Sequence, residues 1–291
     1  MNYMDRYNQI KKSDWFIKTY TDKSFGENIN VMIENLILKR PLCVLDTETT
    51  GLDPKKDKII EICVKKINPD KSVEVFETFF NPSPIKSSEE AFKIHKISDE
   101  SLLDQPTFAD KAKELHAFLK DCDLCGYNVI RFDLQFLMNE FYRCGIVFNY
   151  KKVKIIDVKN IYTKTLKPGT LEFALKYLTG EKAVDNHRAN KDVDYTIQVL
   201  DAHKDYIEDF NIDTLHNLSV SNNSFDMSEW IIKDGNNFIL NFGKSRGKNI
   251  FDVFENDMSY IDWLLSADTT PIDTKIAIKG LLIYHQKQNG K

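Results

Sequence analysis

The sequence predicts an α/β protein: a sheet of mixed direction flanked by helices, followed by a small α+β module. Three observations carry that prediction. Between residues 42 and 80, apolar positions alternate with the period of two that a pleated strand imposes, in three segments parted by turns. Beyond residue 100 the spacing lengthens to that of a helix, and short apolar runs alternate with the helical stretches. Residues 205–228 are polar and rich in Asn, Asp and Ser, and a compact apolar segment follows them.

Taken in order, residues 1–40 mix charged and aromatic side chains around an amphipathic stretch at Ile29, Val31, Met32 and Leu36, which predicts a helical extension. Leu42–Glu48, Lys58–Ile67 and Val73–Phe80 read as three strands of a meander. Gly51-Leu52-Asp53-Pro54 turns the chain after the first, and Asn81-Pro82-Ser83-Pro84 ends the third. Thr107 is placed to cap a helix whose face is Phe108, Ala112, Leu115 and Leu119. A short strand at Asp123–Tyr127 precedes a helix marked by Leu134, Leu137, Met138 and Phe141; Val153–Asp157 is the next strand. Leu171, Ala174, Leu175 and Leu178 mark a helix stopped by Gly180, and Ala189, Val193, Ile197 and Leu200 mark another. This organisation gives a main domain over 41–204, a linker over 205–228 and a module over 229–291. The module holds a compact segment, Phe238–Leu265, and a helix around Lys275–Tyr284.

Hydrophobic content of 42% with 29% charged residues fits a globular chain. No apolar run approaches the ~20 residues of a membrane span, and the N-terminus lacks a signal peptide's apolar centre. The expectation is a cytoplasmic protein without a membrane partner. The odd number of cysteines, five, suits no closed disulfide framework, so reduced thiols are expected, and the lone Cys122/Cys125 pair reads as small core or near-surface residues. A formal net charge of −4 gives no general basic field, yet it leaves room for local basic patches beside an acidic centre.

Such a centre begins in Val44-Leu45-Asp46-Thr47-Glu48-Thr49-Thr50-Gly51-Leu52. On a strand Asp46 and Glu48 point to one side while Leu45 and Thr47 point to the other. Two adjacent carboxylates raise each other's pKa unless a cation sits between them, and hard divalent cations prefer oxygen donors. Taken alone, a solvated strand end is the better account. Two further segments shift the balance: Gly126-Tyr127-Asn128-Val129-Ile130-Arg131-Phe132-Asp133, with an acid opening a helix, and His187-Arg188-Ala189-Asn190-Lys191-Asp192, with a histidine before a helix and an acid in its first turns. Singly, Asp133 and Asp192 are explained by the helix macrodipole and His187 as a surface or capping residue. All of them together, in this order, are not.

The order D-x-E, YN-x3-FD, H-x4-D resembles the DEDDh family of 3'→5' exonucleases. Thr49-Thr50-Gly51-Leu52 and Ile94-His95-Lys96-Ile97-Ser98 resemble two of that family's auxiliary loops, with Lys96 in place of a usual glycine and Val129 where many members carry one. The resemblance implies a ribonuclease H-like fold with a mixed five-stranded sheet. It implies that Asp46, Glu48, Asp133 and Asp192 bind two divalent metal ions, Mg²⁺ or Mn²⁺, and that His187 is the general base. Thr47, Thr49, Gly51, Leu52, His95, Ile97, Tyr127, Asn128 and Phe132 match positions lining the substrate groove. Leu52 is the candidate wedge against the terminal base, though a turn leucine covering the sheet end fits nearly as well. Tyr127 or Phe132 fits the core equally, Phe132 the better of the two.

The implied partner is nucleic acid with a free 3' end, single-stranded or frayed DNA first, with a DNA polymerase or repair proteins as further partners. The alternatives are an exoribonuclease that trims RNA and a non-hydrolytic nucleic-acid- or replisome-binding subunit of the same fold. In the tail, Asn241-Phe242-Gly243-Lys244-Ser245-Arg246-Gly247-Lys248-Asn249-Ile250 followed by Tyr260-Ile261-Asp262-Trp263-Leu264-Leu265 resembles the C-terminal domain of exodeoxyribonuclease X-like proteins. Lys244, Arg246 and Lys248 make a basic turn, expected between two strands. It suits phosphate contact and, with even weight, a solvated turn in a packing or dimerisation module.

Overall fold

Strand alternation sets the sheet. The computed structural model describes residues 33–150, 153–184, 187–221 and 223–288. In it β1 (Leu42–Thr49) pairs antiparallel with β2 (Ile59–Ile67), and β2 with β3 (Val73–Phe79). The short strands β4 (Asp123–Gly126) and β5 (Ile155–Asp157) join in parallel beyond β1, giving one five-stranded sheet of order β3-β2-β1-β4-β5. β1 therefore lies in the middle of the sheet, and its apolar positions are buried on both faces.

Two helical layers cover it. On one face Leu45, Ile62 and Val64 meet Phe108 and Leu115 of α2 (Phe108–Leu119) and Leu134 and Phe141 of α3 (Asp133–Arg143) in the main core. Full burial of such a side chain contributes roughly 1.5–3 kcal/mol. Thr107 closes α2 with a capping box shared with Asp110. On the other face α6 (Ala189–Ala202) packs on β1 and β2 and against α5 (Leu171–Thr179), which ends at Gly180 with φ +80°.

Several stretches differ from the sequence expectation. The segment 85–98 contains a helix, α1 (Glu89–His95), because Ser88 caps its N-terminus and two glutamates occupy its first turn. A further helix, α4 (Val158–Thr165), follows β5 directly, capped by Asp157. The polar stretch 205–228, expected as a linker, carries α7 (Ile212–Ser219), capped by Asn211, with Leu215 and Ser219 buried against β5 and α4. Its composition is polar because one face meets solvent, while its few apolar residues suffice for the other. Residues 33–40, the described part of the expected N-terminal extension, form no helix, and the rest of that extension lies outside the described residues.

The tail forms a hairpin, β6 (Ile231–Asp234) and β7 (Asn237–Leu240), then α8 (Ile250–Asn256), α9 (Met258–Ser266) and α10 (Ile272–Gln288). The basic turn lies between β7 and α8, not between two strands, because Asn249 caps a helix where a third strand was expected. The module has its own core around Ile231, Leu240, Ile261 and Ile278, but Ile272 belongs to the main core. The described residues form one compact unit. No helix among the described residues is long and apolar enough to cross a membrane.

Candidate active site

The strand period carries Asp46 and Glu48 to the face covered by α6, at the end of β1. Asp192, in the first turn of α6, descends onto them. Carboxylate oxygens of Asp46, Glu48 and Asp192 lie within 4.8 Å of one another. Asp133 arrives from the opposite helical layer, as the first residue of α3, outside this 4.8 Å triplet but near enough for its charge to act on Asp46. Its Oδ1 accepts a hydrogen bond from Thr47 Oγ1 at 2.7 Å, and Thr47 shares the face of Leu45 as the alternation requires.

Burial and mutual repulsion shape the electrostatics. Asp46 is held well above the usual carboxylate range, by burial first and then by the charges of Asp133, Glu48 and Asp192. Burial, with Asp192 and Glu61 nearby, pushes Glu48 up to about 8. Burial pushes Asp133 up to about 7 against the Thr47 hydrogen bond, and Asp192 up to about 6 against the amide of His187. A cluster of this kind is fully ionised near neutrality only when a cation offsets it. Its all-oxygen donor set fits a hard divalent ion such as Mg²⁺ or Mn²⁺.

His187 sits beside this group with φ +66°, in the loop leading into α6. Its backbone N–H donates to Asp192 Oδ2 at 3.1 Å, and its Nε2 lies 3.8 Å from Glu172 Oε1 of α5. The His187 backbone amide thus helps to hold Asp192 in place.

Two residues that the motif comparison passed over build the floor of the site. Glu61 stands directly across the strand pair from Glu48 and is fully buried. Arg188 Nε and Nη2 donate to its Oε1 at 3.2 and 3.1 Å, and the Ala189 amide donates to Oε2 at 3.5 Å, so Glu61 anchors the start of α6. The signal in the sequence is one acid inside the apolar run Ile59-Ile60-Glu61-Ile62. Asp157 acts likewise on the other loop. It accepts from the amides of Asn128, Ile130 and Asn160, fixing the turn that leads to Asp133 while capping α4. Asn128 takes φ +69° in that turn, a conformation asparagine tolerates better than most residues.

The expected groove residues fall into three places. Around the turn after β1, Thr49 Oγ1 donates to the Gly51 carbonyl, and a Cβ on Gly51 would meet Asp57 Oδ2 at 2.4 Å. This close approach lets Asp57 bond the Asp53 amide and leaves Leu52 at the tip, 83% exposed. His95 and Ile97 are buried; His95 Nδ1 accepts the Ile97 amide, and Ile97 packs with Ile60 and Leu102. Tyr127 Oη donates to the Gly169 carbonyl at 2.7 Å, and Phe132 packs against the main core, 5.0 Å from Phe136. Lys244, Arg246 and Lys248 are exposed on the tail turn.

Comparison with known proteins agrees with this geometry. The family model described as exonuclease matches residues 43–200, and the one described as exodeoxyribonuclease X-like C-terminal matches residues 240–267. The PolC-type DNA polymerase III of Staphylococcus aureus is 31% identical over 161 residues, which cover 54% of this chain and 11% of the polymerase. The chain thus spans about a tenth of the length of the curated relatives it matches. Among solved structures, zinc-bound E. coli exonuclease I in complex with single-stranded DNA superposes with a TM-score of 0.52 at 20% identity, covering 58% of this chain and 41% of that one. The same enzyme with a dT13 oligonucleotide gives 0.51 at 21% identity, over 58% and 42%. At this identity the likeness establishes the fold, which is the ribonuclease H-like one expected.

Proposed function

The chain belongs to the exonuclease family, and from that premise we propose that it is a metal-dependent 3'→5' exonuclease that releases nucleoside 5'-monophosphates from DNA. The observation that carries this reading is the convergence of Asp46, Glu48 and Asp192 at the end of β1. A merely structural role would pair such acids with cations of the chain, as Glu61 is paired with Arg188. The relation to a DNA polymerase and the match of the tail to an exodeoxyribonuclease-type domain favour DNA over RNA.

In this mechanism Asp46, Glu48 and Asp192, with Asp133 from the other layer, would hold two divalent cations. When bound, these supply Lewis acidity that lowers the pKa of water and offsets charge on the departing 3' oxygen. Asp133 is oriented by the Thr47 hydroxyl, and Asp192 by the His187 amide. His187 accepts the proton of the attacking water on its ring, from a loop position outside both strand and helix that lets the imidazole reorient. Leu52, projecting from the turn after β1, packs against the terminal base, while Tyr127 and Asn128 border the nucleotide on the β4 side.

The deciding experiment incubates the protein with 3'-labelled single-stranded DNA, duplex DNA and RNA, with Mg²⁺, Mn²⁺ or EDTA, beside an Asp46→Asn control. Mononucleotides should appear from 3' ends of DNA only with a metal and only with Asp46. Activity that survives EDTA, or equal rates in the control, would sink the mechanism; a preference for RNA would reassign the substrate.

A further inference from the structure

The tail module carries a cleft of about 670 Å³ that the nuclease chemistry does not use. That volume is within the range of about 300–1,000 Å³ usual for sites that hold a small ligand group. Its walls are aromatic. Trp230 and Phe242 are in close contact, their centroids 3.9 Å apart and their planes tilted by 35°, and the planes of Tyr260 and Trp263 are nearly parallel, 11° apart at 5.8 Å. Neither tryptophan belongs to the module's apolar core, and Trp263 is 53% exposed. Two of the chain's three tryptophans thus line an open surface.

One wall of the cleft is the Gly243 turn lying against Tyr260. Gly243 has φ +63°, and a Cβ there would meet Tyr260 Oη at 2.2 Å, so only glycine lets the turn lie against that ring. Lys244 crosses the mouth: its Nζ sits 4.6 Å over the Tyr260 ring and 2.8 Å from Asp257 Oδ2. The ammonium is held at the rim by a partly exposed carboxylate that an incoming anion can replace. Arg246 and Lys248 extend the positive charge along the same turn. The module also touches the nuclease turn that carries Leu52, since Lys55 Nζ donates to the Asp268 carbonyl.

We propose that this cleft is a second grip on single-stranded nucleic acid, in which bases stack on Trp230 and Trp263 while Lys244 and its turn contact the phosphates. Stacking on any base face and charge on any phosphate bind without regard to sequence, which is what a strand moving toward a distant 3' end requires. Charge decides between occupants. An apolar or proline-rich peptide would use the aromatic walls but gain nothing from three cations on the adjoining turn. The choice of ligand rests on the nuclease reading above.

The test uses the full chain with Asp46→Asn, in EDTA, so that binding is read without cleavage. Anisotropy of a labelled oligo-dT should show Trp263→Ala weakening affinity by about tenfold and Trp263→Phe restoring most of it. Lys244→Gln should lower the slope of log affinity against log salt by about one. Thermal melting checks that each variant folds, and Lys244→Gln, a change at an exposed side chain, stands in should Trp263→Ala fail to. Unchanged affinity in Trp263→Ala together with an unchanged salt slope in Lys244→Gln overturns the proposal and leaves the cleft to a peptide. Hydrolysis by the unmutated chain is measured separately. Trp263-dependent binding without hydrolysis would sink the nuclease reading alone, and hydrolysis without Trp263-dependent binding would sink this proposal alone.

Discussion

Lys96 shows how a single residue registers the geometry around it. It ends α1 with φ +58° and ψ 17°, its N–H bonding back to the Phe92 carbonyl. A side chain in the left-handed region crowds its own backbone, and glycine is the usual solution there. The sequence resemblance noted glycine as the common residue at this position, and the backbone supplies the reason. Lys96→Gly should therefore stabilise the protein by about 0.5–1 kcal/mol, the relief of strain exceeding the added freedom of the unfolded chain. A urea titration reads this as a higher midpoint at unchanged slope; a lower midpoint would mean that the lysine side chain makes a contact worth more than the strain. Gly51 is the opposite case. There the constraint is not a torsion but the Asp57 carboxylate lying where a Cβ would be.

At the scale of elements, the question is what holds α6 so that Asp192 meets β1. The helix has no side-chain cap at its N-cap residue, Arg188. Its start is held instead by Glu61 of β2, through the guanidinium of Arg188 and the Ala189 amide. Glu61 is fully buried, whereas Arg188 is partly exposed, so the two ends of the pair are unequal. Arg188→Ala would leave a buried carboxylate with one amide, beside Glu48 and Asp192. The expected cost is up to about 3 kcal/mol, discounted from a fully buried pair because solvent reaches the arginine. Chemical denaturation measures it, and a change below about 0.5 kcal/mol, typical of a surface pair, would show that the anchor is dispensable.

For the whole molecule, the acidic cluster links metal, protons and stability. The folded-state pKa values of Glu48, Asp133 and Asp192, about 8, 7 and 6, lie above the ordinary carboxylate range. The metal-free fold therefore retains protons that the unfolded chain releases. Its stability from these groups is fully present below about pH 4 and is lost as pH rises through the folded values. A divalent cation competes with those protons. In EDTA the contribution of the site should fall between about pH 5 and pH 8, and the rise in Tm on adding Mg²⁺ or Mn²⁺ should be larger at the upper end. The difference between metal-bound and EDTA melts at each pH isolates the site from other titrating groups, such as the buried His203. A metal increment that does not vary with pH would separate the cluster from cation binding.

The strands β1 to β3, the helices α2, α3, α5 and α6, and the capping by Thr107 were legible in the sequence because each depends on side-chain period and on neighbours within a few residues. The same locality made Asp46, Glu48, Asp133, Asp192 and His187 recognisable as a motif. The helices α1, α4 and α7 are harder to see because they are short: α4 and α7 are held by packing on β5 and on each other, and α1 by its cap and first-turn acids, not by a long apolar period of their own. The basic turn departs from the expectation for a related reason: a strand and a helix of seven residues look alike in sequence until one end is capped.

By itself, then, the sequence determined which acids are available, on which elements they lie and which way the strand points them. The tertiary structure alone decided which three carboxylates converge, that Asp133 reaches them from the opposite layer, that Glu61 and Arg188 meet across 127 residues of chain, and that two tryptophans face a cleft. Periodicity and capping act over one or two turns of chain, whereas convergence depends on the packing of layers whose partners are far apart in sequence, and no local pattern encodes those distances.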